Sequence, residues 1–321
     1  MTKHNQIPFE VPIVLIMFNR PSETLKVLEK IKEVKPTQLF IISDGSRNNK
    51  EEEKVQQCRN LISKIDWECK IETNFSNVNL GCRDRISSGL NWVFEKVETA
   101  IILEDDCLPD VSFFYYCERM LKLYENDEKV MSIEGTNLSN KKHHIEDNEY
   151  FFGSYASLWG WATWKESWEK IDLNLTTLSN KKVQKIVMKN MGIIKYLNYR
   201  RIFKKVKQGK INSWGYSWIY TILSLNGVVI VPAKNLIENI GFSEGATHTN
   251  NINEFKKIDT FKLSDTIKNA DRQKIVINHE YNLEYYFYHN PKGTFLKSMV
   301  PLSIKKILKK GKKLYAKASN G

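Results

Sequence analysis

"AIILEDDCLPD", residues 100–110, runs four apolar residues, Ala100 to Leu103, directly into three consecutive carboxylates, Glu104, Asp105 and Asp106. Pro109 and Asp110 follow as a stop. A short, fully apolar run bounded in this way reads as a strand covered on both faces. Adjacent carboxylates repel one another unless a cation or hydrogen bonds offset the charge. A divalent metal does so directly, and Mg²⁺ or Mn²⁺ often takes one or two carboxylates together with a diphosphate. A solvated turn accounts equally well for an isolated acidic triplet, so the surrounding pattern has to decide.

Upstream, "VPIVLIMF" (Val11 to Phe18) reads as a buried strand that ends in Asn19, Arg20 and Pro21. Leu25, Leu28 and Ile31 then recur at helical spacing until Lys35 and Pro36. "QLFIIS" (Gln38 to Ser43) is a second apolar run, closed by Asp44, Gly45 and Ser46. A polar helix through Val55 and Leu61, a strand near Cys69 to Glu72 and a helix over Gly81 to Val97 lead to the acidic triplet. Beyond it come a helix from Val111 to Tyr124 and the strand "KVMSIEG", Lys129 to Gly135. Alternating short strands and helices predict an α/β fold with a mainly parallel sheet. Ligands of such sheets gather at the carboxyl ends of strands. Arg20, Asp44 and Glu104–Asp106 all fall at such ends.

The chain has 321 residues and 41% apolar residues, enough for a large core. No apolar run approaches the roughly 20 residues of a membrane-spanning helix, and the N-terminus lacks the order of a signal peptide. Five scattered cysteines without a Cys-x-x-Cys pair read as free thiols of a reducing compartment. The net charge of +12 is concentrated in two places. Residues 181–210 hold eleven Lys and Arg, residues 305–317 hold seven Lys, and neither stretch contains an acid. Such stretches serve nucleic acid or an anionic membrane. In 301–321 a helical projection puts Ile304, Ile307, Leu308, Leu314 and Tyr315 opposite the lysines. That amphipathic pattern favours a membrane interface over nucleic acid.

The ordered segments "VPIVLIMFNRP", "IISDGS", "NLGCRDRISSGLNWVFE" and "AIILEDDCLPDVSFFYYCERML" resemble GT-A glycosyltransferases, in particular the N-acetylglucosaminyltransferase I type with its Glu-Asp-Asp metal motif. Some bacterial relatives carry a "hemolytic protein" label. The resemblance implies a nucleotide-diphospho-sugar transferase fold over residues 1–260, with a donor-binding half (1–140) and an acceptor-side half (141–260). An extension (261–300) and the basic tail (301–321) follow. It implies that Asp106 binds Mn²⁺ or Mg²⁺, that Glu104 and Asp105 contact the nucleotide-sugar, and that Asp44 meets uracil. Arg20, with Arg83 or Arg85, would meet the diphosphate, whose oxygens suit the forked guanidinium donors.

"SYASLWGWATWKESW" (Ser154 to Trp168) and "INSWGYSWIY" (Ile211 to Tyr220) resemble the acceptor side, with Trp159, Trp161, Trp214, Tyr216 and Trp218 as sugar-stacking candidates. A tryptophan cluster is more often a core element. Relatives read Trp-Asp-Tyr-Gln-Trp where this chain reads Trp214-Gly215-Tyr216-Ser217-Trp218, so glycine replaces the expected catalytic base. Glu134, Glu244 or His248 would have to substitute, and His248 is also a candidate metal ligand. The expectation is a cytoplasmic enzyme on the membrane face. It would move a sugar, with inversion, from a UDP-sugar to a glycan or lipid-linked glycan in surface polysaccharide synthesis, without a nucleic-acid partner. Two alternatives stand: an impaired relative that only binds nucleotide-sugar or glycan, and a basic nucleic-acid-binding protein.

Overall fold

The structure, a computed structural model, describes residues 8–139, 149–241 and 270–289 together with residues 260, 262 and 267. The first half alternates strand and helix as the apolar runs predict. Strands β1 (Ile13–Met17), β2 (Gln38–Ser43), β3 (Lys70–Phe75) and β4 (Thr99–Glu104) are separated by helices α1 (Pro21–Val34), α2 (Asn49–Asn60) and α3 (Gly81–Phe94). Pro21 suits the first turn of α1, where its missing N–H has no partner to lose. A two-strand ladder, absent from the sequence reading, follows β4. Its members are β5 (Cys107–Pro109) and, far downstream, the antiparallel β10 (Ile237–Asn239). Between them lie α4 (Ser112–Leu123), β6 (Val130–Glu134), β7 (Tyr150–Gly153), β8 (Trp161–Trp164), α5 (Lys165–Trp168), α6 (Lys181–Met191), α7 (Ile193–Lys207), α8 (Gly215–Ser224) and β9 (Val228–Pro232). Helix α9 (His279–His289) closes the described chain.

Eight strands form one sheet in the order β3-β2-β1-β4-β8-β6-β9-β7. Among the described residues four of its seven pairings are parallel; β8 is antiparallel to both β4 and β6, and β7 is antiparallel to β9. The fold is therefore α/β with a mixed, mainly parallel sheet. Residues on both sides of position 140 build it, because β8 is inserted between β4 and β6. The pleat sends alternate residues to opposite faces. Val14, Ile16, Phe40, Ile42 and Ile102 join a core with α3 and α6–α8, whereas Ile13, Leu15, Leu39, Ile41 and Ile101 join one with α1 and α4. Edge strand β3 is polar and half-exposed, which is why its apolar signal is weak.

All five cysteines are free. No helix among the described residues is long and apolar enough to cross a membrane.

Candidate functional site

The parallel strands β1, β2 and β4 end side by side, and their polar termini converge on a cavity of about 480 Å³. Phe18, Asn19 and Arg20 enter it from β1, Asp44 and Arg47 from the turn after β2, and Glu104, Asp105 and Asp106 from the end of β4. The N-terminal turn of α3 contributes Gly81, Cys82 and Arg85. Trp159, Asn212, Asn239 and Gly241 come from the second half of the chain.

Arg20 is the cation of the acidic cluster. Its Nη1 lies 2.6 Å from Asp106 Oδ2 and 3.1 Å from Asp105 Oδ1. Burial works against the guanidinium charge, but the two aspartates more than offset it and raise its pKa. Asp105 also accepts the Phe18 backbone N–H at 2.9 Å, so it ties β4 to the end of β1. Burial, together with Asp106 and Asp105, pushes the Glu104 carboxyl upward; burial and Asp106 do the same to Asp105. Burial also holds the Cys82 thiol up at about 12, with help from Glu104, so it is a thiol and not a thiolate at neutral pH. Gly241 passes so close to Asp106 that a Cβ there would collide with the carboxylate.

Asp44 braces the opposite end of the cavity. Its Oδ1 accepts from the Gly45 and Leu80 backbone N–H groups, and its Oδ2 from that of Gly81, each at 2.9 Å. A carboxylate at a helix N-terminus satisfies donors that have no partner within the helix and complements its dipole. Gly45 is required because a Cβ would lie 2.5 Å from the Val78 carbonyl carbon. Arg85 lies beneath this end and donates from Nη2 to Asn74 O and Oδ1, both at 2.7 Å. Its Nε is buried without a hydrogen-bond partner among the described residues. Burial lowers its pKa.

The structure thus brings Arg20, Asp44, Arg85, Glu104, Asp105, Asp106 and Trp159 to one cavity. Other expected residues lie elsewhere. Arg83 does not line the cavity: half-buried, it donates to Asp84, Leu173 O and Asn174. Trp161, Trp214 and Trp218 belong to the core, where Trp161 stacks on Trp214 with ring centroids 5.4 Å apart and lies 5.9 Å from Trp218. Tyr216 lines a separate cavity of about 160 Å³ with Ser157, Leu158, Tyr199, Ile202 and Tyr285. Glu134 is fully buried and lines neither cavity. Its Oε2 accepts from Ser157 N, Ser157 Oγ and Leu158 N, and its Oε1 from Ser132 Oγ. Glu134, an expected base, is thus placed away from both cavities, with its carboxylate anchoring the chain at Ser157 and Leu158. Gly215 opens α8 on the wall of the smaller cavity, where a Cβ would lie 2.5 Å from Leu158 Cδ1. Glu244, His248 and the 301–321 tail lie outside the described residues.

The sequence reading missed Asn19, Arg47, Asn79, Cys82, Asn212 and Asn239 on the cavity wall. Arg47 directly follows the Asp44–Ser46 turn and Asn79 precedes Gly81, so proximity to those turns was an available signal. Nothing local marks Asn212 and Asn239, which only tertiary folding brings in.

No family model and no curated protein matches the sequence. Solved structures with a similar arrangement include a galactosyltransferase, LgtC, in complex with donor and acceptor sugar analogs. It is 10% identical, with a TM-score of 0.35, covering 66% of this chain and 70% of that one. Residues 1–349 of TarS from S. aureus are 9% identical, with a TM-score of 0.40, covering 71% of this chain and 59% of that one. 4-Diphosphocytidyl-2C-methyl-D-erythritol synthase from Anaerococcus prevotii is 8% identical, with a TM-score of 0.35, covering 70% and 88%. These are distant likenesses of backbone arrangement, and the chemistry is read from the cavity itself.

Proposed function

We propose that the chain is a glycosyltransferase of the GT-A type whose large cavity takes a nucleotide-diphospho-sugar, a UDP-sugar in the first instance. The supporting observation is the convergence of Arg20, Asp44 and the Glu104–Asp106 triplet, from three strand ends far apart in sequence, on one cavity. The nucleoside lies toward Asp44, Asn79 and Arg85. The diphosphate lies toward Arg20, and the sugar extends toward Trp159.

Mn²⁺ or Mg²⁺ fits this donor set, because Glu104 and Asp106 both line the cavity and Arg20 is the one cation seen to pair with the triplet among the described residues. Among the same residues no three His, Cys, Asp or Glu side chains close on a metal position, so diphosphate oxygens would complete the shell. When bound, the ion would neutralise charge on the departing diphosphate. Arg20 orients that diphosphate and shares its charge. Asp105 fixes Arg20 and the β1 terminus, and Asp44 holds the α3 N-terminus that forms the nucleoside wall.

The acceptor hydroxyl must lose a proton as it attacks. Glu244 and His248 are the proposed recipients, since position 215 holds glycine and Glu134 faces the core. A glycan or lipid-linked glycan is the proposed acceptor.

Calorimetric titration with UDP, with and without Mn²⁺, tests the donor assignment. Asp106→Asn is expected to weaken metal-dependent binding by roughly tenfold or more, about one lost charge-assisted contact. UDP affinity indifferent to both Mn²⁺ and this substitution would remove the assignment. Gly215 favours a second reading, a nucleotide-sugar binder without turnover. Transfer from UDP-sugars to glycan acceptors by the purified chain separates the two.

A further inference from the structure

Helices α6 and α7 meet at an elbow on Gly192, whose φ of 79° suits glycine and whose N–H donates to Met188 O. The elbow exposes large aliphatic side chains: Ile193 is 61% exposed, Leu197 52%, Ile194 40% and Ile186 38%. These are four of the eleven exposed large apolar residues among those described, gathered within twelve positions. In α7, Tyr196, Tyr199, Phe203 and Val206 pack inward. The face that leaves Ile193 and Leu197 outward continues one turn at a time through Arg201, Lys204 and Lys205. In α6, Val187 and Met191 pack inward while Lys182, Lys185 and Lys189 surround Ile186. Between Asp172 and Glu238 the sequence has no carboxylate to pair with these cations.

We propose that this elbow is a docking surface for an anionic lipid bilayer, with Ile193, Ile194 and Leu197 entering the interface and the surrounding Lys and Arg meeting its headgroups. The combination selects the occupant. An aliphatic cluster ringed by cations suits the boundary between acyl chains and anionic headgroups. A second copy of the same face would be repelled by its own charge, as would the chain's seven-lysine 305–317 segment. Nucleic acid answers the cations but offers nothing to the aliphatic side chains.

The placement also bears on the acceptor. The smaller cavity borders α7 at Tyr199 and Ile202, and Ile202 is about 14 Å along the helix from Ile193. An acceptor held in the membrane would then lie beside Leu158 and Tyr216, next to Trp159 of the large cavity. The docking surface does not depend on the donor assignment, and its test requires no turnover.

The test is co-sedimentation of the full chain with phosphatidylcholine vesicles with and without phosphatidylglycerol, at low and high salt. It is repeated with the seven tail lysines changed to serine. The parent is expected to bind only the anionic vesicles, and less at high salt. Ile193→Ser/Leu197→Ser is expected to lower partitioning roughly tenfold in both backgrounds with an unchanged Tm, since both side chains already face water. Arg201→Ser/Lys204→Ser/Lys205→Ser is expected to weaken the preference for phosphatidylglycerol in both backgrounds, and an undiminished preference in both would overturn the part given to these cations. Vesicle binding unaffected by Ile193→Ser/Leu197→Ser in both backgrounds overturns the proposal. So does salt-sensitive binding of duplex DNA or RNA that ignores that pair while vesicles are not bound.

Discussion

A carboxylate sealed in an interior loses the hydration that favours its charge, and Glu134 is in that position. Burial raises its pKa against the opposing effect of donors from Ser132, Ser157 and Leu158. An acid whose folded pKa exceeds its unfolded one binds more protons when folded, so its contribution to stability falls as pH rises. The decline begins near the ordinary carboxylate value, about pH 4–5, and continues until the raised folded pKa is passed. Glu134→Gln removes the titration, so its urea-measured stability is expected to vary less than the parent's above that range. An unchanged slope would mean that Glu134 does not titrate differently in the two states. The turn it holds also explains position 215. Leu158 adopts a φ of 66° and presses Cδ1 against Gly215. Gly215→Ala is expected to change stability by no more than about 1 kcal/mol, since the methyl can turn aside and alanine favours the helix, and to couple to Leu158→Ala in a double-mutant cycle by denaturation.

Helix α3 is where an element and the site depend on one residue. Its N-terminus has no side-chain cap from its own N-cap residue, Leu80. Asp44, 36 residues upstream of Leu80, fills that role. Asp44→Ala leaves two N–H groups at the start of α3 without their acceptor and is expected to cost about 1–2 kcal/mol by chemical denaturation, the range of a lost N-cap. It is also expected to weaken UDP binding in calorimetry, because the helix start carries Gly81, Cys82 and Arg85 into the cavity. Stability lost with UDP affinity intact would confine Asp44 to a structural part. The run "IISDGS" shows why this was half-legible. A polar stop after a buried strand predicts a site-facing residue, but nothing within it indicates that the partner is a helix end beyond the next strand. The β5–β10 ladder was not legible at all, since three residues cannot establish a period and their partners lie some 130 positions away.

At the scale of the molecule, four tryptophans tie the sheet to the helices of the second half. Trp161 on β8 and Trp168 on α5 pack against Trp214 and Trp218 around the start of α8, with ring centroids 5.4–6.1 Å apart. Trp161→Ala is expected to cost about 3–5 kcal/mol, the usual range for removing a buried tryptophan. UDP affinity of the protein that remains folded should be unchanged, and a selective loss of affinity without loss of stability would return Trp161 to the site. Composition could not separate these roles, because an aromatic ring serves a sugar or a core by the same apolar face and only burial distinguishes them. What the sequence determined by itself was local and periodic: the apolar runs of β1, β2, β4 and β6, the helices between them, and the polar residues at the strand ends. Those features follow from short-range chemistry: a strand buried on both faces is mostly apolar, and at β1, β2 and β4 the polar residues gather where the strand ends. The tertiary structure alone decided the insertion of antiparallel β8 beside β4, the burial of Glu134, the pairing of Arg83 with Leu173 and Asn174, and the arrival of Asn212 and Asn239 on the cavity wall. Each of these depends on which distant surfaces exclude water from one another, and a contact across a hundred residues leaves no period in the chain.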